Sequence, residues 1–252
     1  MTTSWDDGHP QDHRLADTLE RHGVPATFYL PRTNPLDRLP VISEREIRAL
    51  SDRGFEIGAH TLNHVVLTET DDRTARREIA DSKAWVEDVT GRPCVSFSPP
   101  NGKHRAHHVD MIRDAGFLGY RSVEVWSVDA PRPRPRKDGW STRKDRPPLL
   151  ALPTSTLALP LPAANVLRNL IKRRAGKNLG LYLRHGLRGD WTDHAAALLG
   201  QAVKHHGVFH LWGHSWELED QQQWDRLDRV LSRLAGEVPA AGRLTNGELV
   251  TA

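Results

Sequence analysis

His60 and His64 stand four residues apart in the stretch Phe55-Glu56-Ile57-Gly58-Ala59-His60-Thr61-Leu62-Asn63-His64. If the chain turns helical there, both imidazoles lie on one face and can share one ion. They leave a metal one protein ligand short, and the adjacent carboxylates Asp6 and Asp7 can supply it. The spacing alone carries little weight: with 14 histidines in 252 residues, about one such pair arises by chance. Two neighbouring carboxylates are less ordinary. Like charges that close repel, so one of them is expected to meet a cation or hold a proton. A third group, Ser98-Pro99-Pro100-Asn101-Gly102, follows an apolar run. A fourth is His210, Trp212 and His214, which share one face of an extended segment. That pattern fits a site wall, and it equally fits satisfied core histidines.

The elements that must position these groups alternate. Thr2 to Trp5 reads as a strand stopped by Asp6-Asp7-Gly8, and Asp12 to His22 as a helix. Pro25 to Leu30 is the next strand. Ser43 opens a helix to Asp52, with Glu46 completing a capping box. The apolar run Phe55-Glu56-Ile57 follows as a buried strand. Asp71 to Thr90 is a long helix closed by Gly91, and Cys94 to Phe97 a strand. His107 to Ala115 is a helix and Leu118 to Val125 another strand. Strand and helix in turn, with short connections, predict parallel strands covered by helices, as a barrel or a doubly wound sheet. Chemistry in such folds gathers at the C-terminal ends of the strands. Asp6-Asp7, His60-His64 and Ser98-Asn101 all fall at such ends.

The alternation breaks from Trp126 to Pro148, which contains PRPRPRK and TRKDRPP. Proline predicts no regular structure there, so the segment reads as a basic surface loop, or as a lid whose arginines hold a phosphate. Leu149 to Ser155 reads as a strand. Ala163 to Ala175 reads as a basic amphipathic helix carrying Arg168, Lys172, Arg173 and Arg174, which suits packing or peripheral contact with a membrane surface. Thr192 to His205 is a helix preceded by Asp190-Trp191, Gln221 to Ala235 another, and Gly242 to Val250 a short terminal strand.

Composition sets the outer bounds. Lys+Arg 35 against Asp+Glu 32 gives +3, too small an excess to argue for nucleic acid. The single cysteine, Cys94, permits no internal disulfide and fits a reducing compartment. The opening MTTSWDDG has no secretory character, and no apolar run reaches membrane-spanning length. The expectation is a cytoplasmic protein.

With these residues collected, the chain resembles the polysaccharide deacetylases of carbohydrate esterase family 4. Ser4-Trp5-Asp6-Asp7-Gly8 is similar to the family's Thr-Phe-Asp-Asp-Gly, and His60-Thr61-Leu62-Asn63-His64 matches its His-Ser/Thr-x-x-His. Ser98-Pro99-Pro100-Asn101-Gly102 is an altered Arg-x-Pro-Tyr-Gly. Asp190-Trp191 resembles a fourth motif ending Asp-Trp, and Leu211 to His214 a fifth ending Leu-x-His, one residue longer here. The resemblance implies a single α/β domain over residues 1–252, an irregular (β/α)7-type barrel with the Pro/Arg-rich segment at about 126–148 as an insertion.

It also implies a metal-dependent N-deacetylase. Asp7, His60 and His64 would hold one divalent metal, zinc first, with cobalt, nickel or iron able to replace it. The metal would polarise the amide carbonyl and acidify a water. Asp6 would take the water's proton and a backbone N–H near Asn101 would hold the oxyanion. His214 would protonate the departing amine, with His210 as second choice. Ser98, Pro100, Asn101, Asp190, Trp191 and Trp212 would line the substrate path. The substrate would be an acylated amino sugar, soluble or lipid-linked. Two departures stand out. Ser98 supplies no cation to tune the Asp6 base unless Arg105, Arg121 or Lys103 reaches in. Asn101 removes an aromatic surface for a sugar ring. Two other readings stay open: hydrolysis of a different C–N bond, such as a cyclic ureide or imide, and a binding protein with a weakened site.

Overall fold

The computed structural model describes residues 1–122, 124–135 and 148–252. Its first half follows the alternation closely: β1 (Thr2–Asp6), α1 (Asp12–Arg21), β2 (Thr27–Leu30), α2 (Glu44–Asp52), β3 (Glu56–Ala59), α3 (Asp72–Thr90), β4 (Ser96–Phe97), α4 (Ala106–Asp114) and β5 (Gly119–Arg121). Local signals account for the boundaries. Ser43 caps α2 with the full capping box to Glu46. Asp71 caps α3 through the Thr74 amide, and Gly91 ends it at φ 66°, where a side chain would be strained.

The second half is less regular. It comprises β6 (Arg132–Pro133), β7 (Leu150–Leu152), β8 (Thr156–Leu157), α5 (Ala163–Lys172), α6 (Gly176–His185), α7 (Trp191–Lys204), β9 (His210–His214), α8 (Ser215–Asp220), α9 (Trp224–Glu237) and α10 (Asn246–Thr251). Two expectations differ from the structure. The proline-rich segment is not wholly irregular: Arg132 and Pro133 pair antiparallel with β7, an edge position where proline's missing N–H costs no ladder bond. Residues 136–147 of the expected insertion, Arg136 among them, lie outside the described residues. The terminal segment is a helix, not a strand. Thr245 accepts the Glu248 amide in a second capping box, and the Gly247 amide donates to Glu56 Oε2 at 2.7 Å.

Among the described residues the strands form one sheet in the order β6-β7-β5-β4-β3-β2-β1-β9-β8, parallel throughout except for β6. The sheet curls into an irregular barrel. Residues 153–155 carry the chain from β7, near one end of the sheet, to β8 at the other. There the Ser155 amide reaches His210 O at 2.9 Å and the Trp126 amide reaches Ser155 O at 3.0 Å. Helices cover the outside, burying Leu15, Leu19, Ile47, Leu50, Ile79 and Ile112 against it. Register is what matters for function. Asp6 lies opposite both Tyr29 and His214, and Ala59 opposite Leu30 and Phe97. The C-terminal ends of β1, β3, β4, β5 and β9 therefore bring Asp6, the residue after Ala59, the residue after Phe97, Arg121 and His214 to one rim.

Candidate active site

The rim opens into a cavity of about 440 Å³ lined in part by Asp6, Asp7, His60, His64, Arg121 and His214. The histidine pair reaches it by a different route from the one the spacing suggests. Residues 60–66 are not helical. Thr61 and His64 each take φ 55°, folding a tight loop that sets the two rings 5.0 Å apart. Asp7 (φ 82°) and Asn101 (φ 54°) are left-handed too. Such non-glycine conformations cost about 1 kcal/mol or more each and persist where the surroundings over-determine them. Here they cluster on one cavity.

Asp7 Oδ1 lies 3.2 Å from His64 Nε2 and 3.7 Å from His60 Nε2. Three donors at zinc-bond lengths around a tetrahedral ion stand about 3.4 Å apart, so these separations fit. The His60 tautomer fits as well. His60 Nδ1 donates to Ser98 O at 2.7 Å, which leaves the Nε2 lone pair facing Asp7. Burial, against the pull of Asp6, holds the His60 pKa down to about 4 and the ring neutral. His64 Nδ1 is 3.0 Å from Asp37 Oδ2, too oblique for a full hydrogen bond. Asp7 Oδ2 accepts the Trp216 indole N–H at 3.0 Å, so its other oxygen is the one turned to the histidines. Burial alone would raise the Asp7 pKa; the His64 hydrogen bond and the neighbouring imidazoles overcome that and hold it well below the carboxylate range. Two imidazoles and one carboxylate, all buried, make a donor set that suits zinc or another first-row divalent ion.

Asp6 sits beside this trio. Arg121, from the end of β5, forks onto it: Nη1 donates to Oδ1 at 2.8 Å and Nη2 donates to Oδ2. Of the three cations considered for the place left by Ser98, Arg121 is the one that arrives. Lys103 is spent on Glu69 at 2.6 Å. Arg121 also donates to Ser4 Oγ at 3.2 Å and stacks on Trp212, with Cζ 4.6 Å from the ring.

The two histidines of β9 separate cleanly. His214 lines the cavity, with Nε2 3.9 Å from both Asp6 Oδ2 and Asp7 Oδ2. Its Nδ1 is bonded to Glu217 at 2.5 Å. Burial works to lower its pKa; the Glu217 bond and the Asp7 and Asp6 charges outweigh that and push it up to about 9. His210 lies deeper, its Nε2 2.8 Å from Ser4 Oγ and its Nδ1 3.0 Å from Pro153 O. Burial, and then Arg121, hold its pKa down to about 3. Both ring nitrogens are engaged in the barrel floor, and the ring does not line the cavity.

The remaining expected groups divide. Asn101 and Trp212 line the cavity. Ser98 contributes through its carbonyl, not its side chain, and Pro100 is buried in the turn behind. Asp190 and Trp191 stand apart from it. Asp190 caps α7, and the buried Trp191 indole donates to Gln223 at 2.9 Å. Sequence reading missed Trp216, Glu217, Asp37 and Asn169. The first two directly follow His214, and that nearness was the available signal. Among the described residues a second cluster, Asp72, His107 and His108, has the same composition. Its chemistry is wrong for a metal. His108 Nδ1 accepts the Arg105 amide at 3.1 Å, so in the neutral ring the proton sits on Nε2, the atom nearest Asp72.

Residues 1–122 match the model of the polysaccharide deacetylase family. The chain is 29% identical over 167 residues to a chitooligosaccharide deacetylase of Rhizobium leguminosarum, covering 65% of this chain and 68% of that one. It is 28% identical over 130 residues to a peptidoglycan-N-acetylglucosamine deacetylase of Listeria monocytogenes, covering 52% of this chain but only 25% of that protein. The chain thus spans a quarter of the length of that relative. Two solved structures share the fold: a family 4 carbohydrate esterase from Streptomyces lividans (TM-score 0.53, 15% identity, 94% of this chain and 88% of that one) and an allantoinase (TM-score 0.63, 13% identity, 96% and 71%). At those identities the likeness is one of fold alone.

Proposed function

We propose that the chain is a metal-dependent amide hydrolase that removes an acetyl or similar acyl group from an amino sugar. One observation carries the reading: the Arg121-paired carboxylate of Asp6 and the proton-bearing His214 face each other across the Asp7, His60 and His64 donors. A divalent ion bound to that trio supplies Lewis-acid polarisation of the amide carbonyl and lowers the pKa of a water. Asp6 then takes the proton of the attacking water. A backbone N–H at the Asn101 turn donates to the oxygen that gains charge. His214 Nε2 gives its proton to the nitrogen as the C–N bond breaks, releasing a neutral amine and a carboxylic acid. The acid's proton then passes to the amine, giving carboxylate and ammonium, and the proton held by Asp6 returns to His214. Glu217 orients that ring from behind and stabilises its charge. Trp212 Nε1 and Asn169 Oδ1 are buried, line the cavity and have no protein partner; a sugar's hydroxyls would satisfy them.

Zinc is the ion proposed first, with cobalt, nickel or iron as replacements. A cytoplasmic setting is part of the proposal. Its support is the lone buried thiol of Cys94, and no helix among the described residues is long and apolar enough to cross a membrane. The test is acetate release from N-acetylglucosamine oligosaccharides by the zinc-loaded chain, beside Asp6→Asn and a hydantoin substrate. Acetate release that Asp6→Asn abolishes is expected. Turnover of the hydantoin with none of the sugar would instead favour the cyclic ureide or imide reading. Full metal load without turnover of either would favour a binding protein.

A further inference from the structure

A second large cavity has a volume of about 590 Å³. Five cations line it, Arg132, Arg134, Arg173, Arg174 and Lys177, against two carboxylates, Glu124 and Asp129. Both carboxylates are already engaged. Glu124 takes Arg132 and, at 3.2 Å, Arg134, while Asp129 takes Lys177. Arg173 and Arg174 have no ion-pair partner among the described residues. Nor can their own wall neutralise them. Residues 161–189 contain Arg168, Lys172, Arg173, Arg174, Lys177, Arg184 and Arg188 and no Asp or Glu. Burial chiefly holds the Arg173 pKa below its ordinary value, with Glu124 pulling it up and Arg134 down. The start of α6 adds Gly176 and Lys177 to the lining, with no side chain capping its first amides.

Neighbouring residues of the same two segments line the two cavities. Glu124 lines the basic one and Val125, the next residue, the catalytic one. On α5, Asn169 lines the catalytic cavity and Arg173 the basic one. Residues four apart at helical spacing are about 5–6 Å from each other, within the span of one sugar ester.

We infer that the basic cavity is a phosphoryl subsite, and that the amino sugar whose amide enters the catalytic cavity carries a phosphate or diphosphate ester seated on Arg173 and Arg174. The substrate half of this inference rests on the amide-hydrolase reading; the anion-binding half rests on the cavity alone. A diphosphate meets the local excess of positive charge, and guanidinium forks match phosphoryl oxygens. A neutral oligosaccharide would leave that excess unmet.

The test pairs binding with turnover on the zinc-loaded full chain. Inorganic pyrophosphate is titrated calorimetrically into the wild type, into R173Q/R174Q, and into R73Q/R77Q, which removes two exposed charges from α3. R173Q/R174Q should weaken binding about tenfold or more, and R73Q/R77Q should leave it unchanged. Equal binding in all three, or equal losses in both variants, overturns the subsite. Turnover is then compared on a neutral methyl glycoside of N-acetylglucosamine, its uridine diphosphate ester and a short prenyl diphosphate ester. The diphosphates should show lower KM, lost in R173Q/R174Q while kcat stays within about twofold. Whichever ester responds more identifies a nucleotide or a lipid as the source of the phosphate. A neutral glycoside turned over as well as either ester overturns the substrate half. Pyrophosphate binding lost in R173Q/R174Q with no acetate from any sugar keeps the subsite and sinks the amide-hydrolase reading instead.

Discussion

The same set of three residues, one Asp and two His, meets twice among the described residues with different results. At the barrel rim, Asp7, His60 and His64 are all buried. At the surface, Asp72 is exposed beside the adjacent pair His107 and His108. Donor separations do not distinguish the two, since both sets lie within 4.8 Å. What differs is the second layer. A backbone carbonyl fixes the His60 proton on Nδ1 and frees Nε2; a backbone amide fixes the His108 lone pair on Nδ1 and protonates Nε2. Cluster composition is therefore a weak guide to a metal, and the hydrogen bond on the far side of each ring is the stronger one.

The sharpest way to break this contrast is to delete each pair in turn. H60A/H64A should reduce divalent metal, measured by elemental analysis after zinc loading, from near one equivalent to almost none. H107A/H108A should leave it unchanged. Metal lost equally from both would mean the tautomer argument fails. The next largest effect falls on turnover. Arg121→Gln removes the fork on Asp6 but no donor of the trio, so activity should drop by about 10²-fold with metal content retained. Between these lies a graded test of the second layer. Asp37→Ala removes the carboxylate 3.0 Å from His64 Nδ1 and should weaken zinc affinity by about tenfold, read by competition with a chelating dye.

How much of this was legible beforehand depended on how local each signal is. The rim clusters of the first half sit next to strand ends, so alternation points Asp6, Asp7, His60 and His64 to one rim, while the register that joins them is seen in the structure. The His60–His64 spacing suggested a helix because sequence shows separation, not dihedrals; the left-handed Thr61 and His64 are fixed by tertiary contacts. The cation at Asp6 was narrowed to three residues but could not be chosen, because Arg121 reaches it from another strand. His210 and His214 were inseparable for the same reason. Their faces agree, and only the depth of the barrel distinguishes floor from rim. The terminal segment carries two competing local signals: Thr245-Asn246-Gly247-Glu248 is a capping box, and it outweighs the strand-like pair Leu249 and Val250.

The smallest expected effect concerns the surface cluster itself and sharpens what it does in place of binding metal. Burial, and then the charge of His107, hold the His108 pKa down to about 4, against the pull of Asp72; Arg105 and His104 act in the same lowering sense. The unfolded chain binds this proton near pH 6.5 and the folded chain only near 4. Between those values the unfolded state holds more protons, so stability rises with pH across the window and the contribution is lost as pH falls through it. Because the His107 side chain is half-exposed and water screens its lowering charge, the effect should be on the order of 1 kcal/mol. His108→Gln should flatten the wild-type loss of melting temperature between pH 6.5 and 4 by a few degrees. The same slope in both proteins would show that His108 titrates freely. The fixed tautomer that separates the two clusters would then not exist.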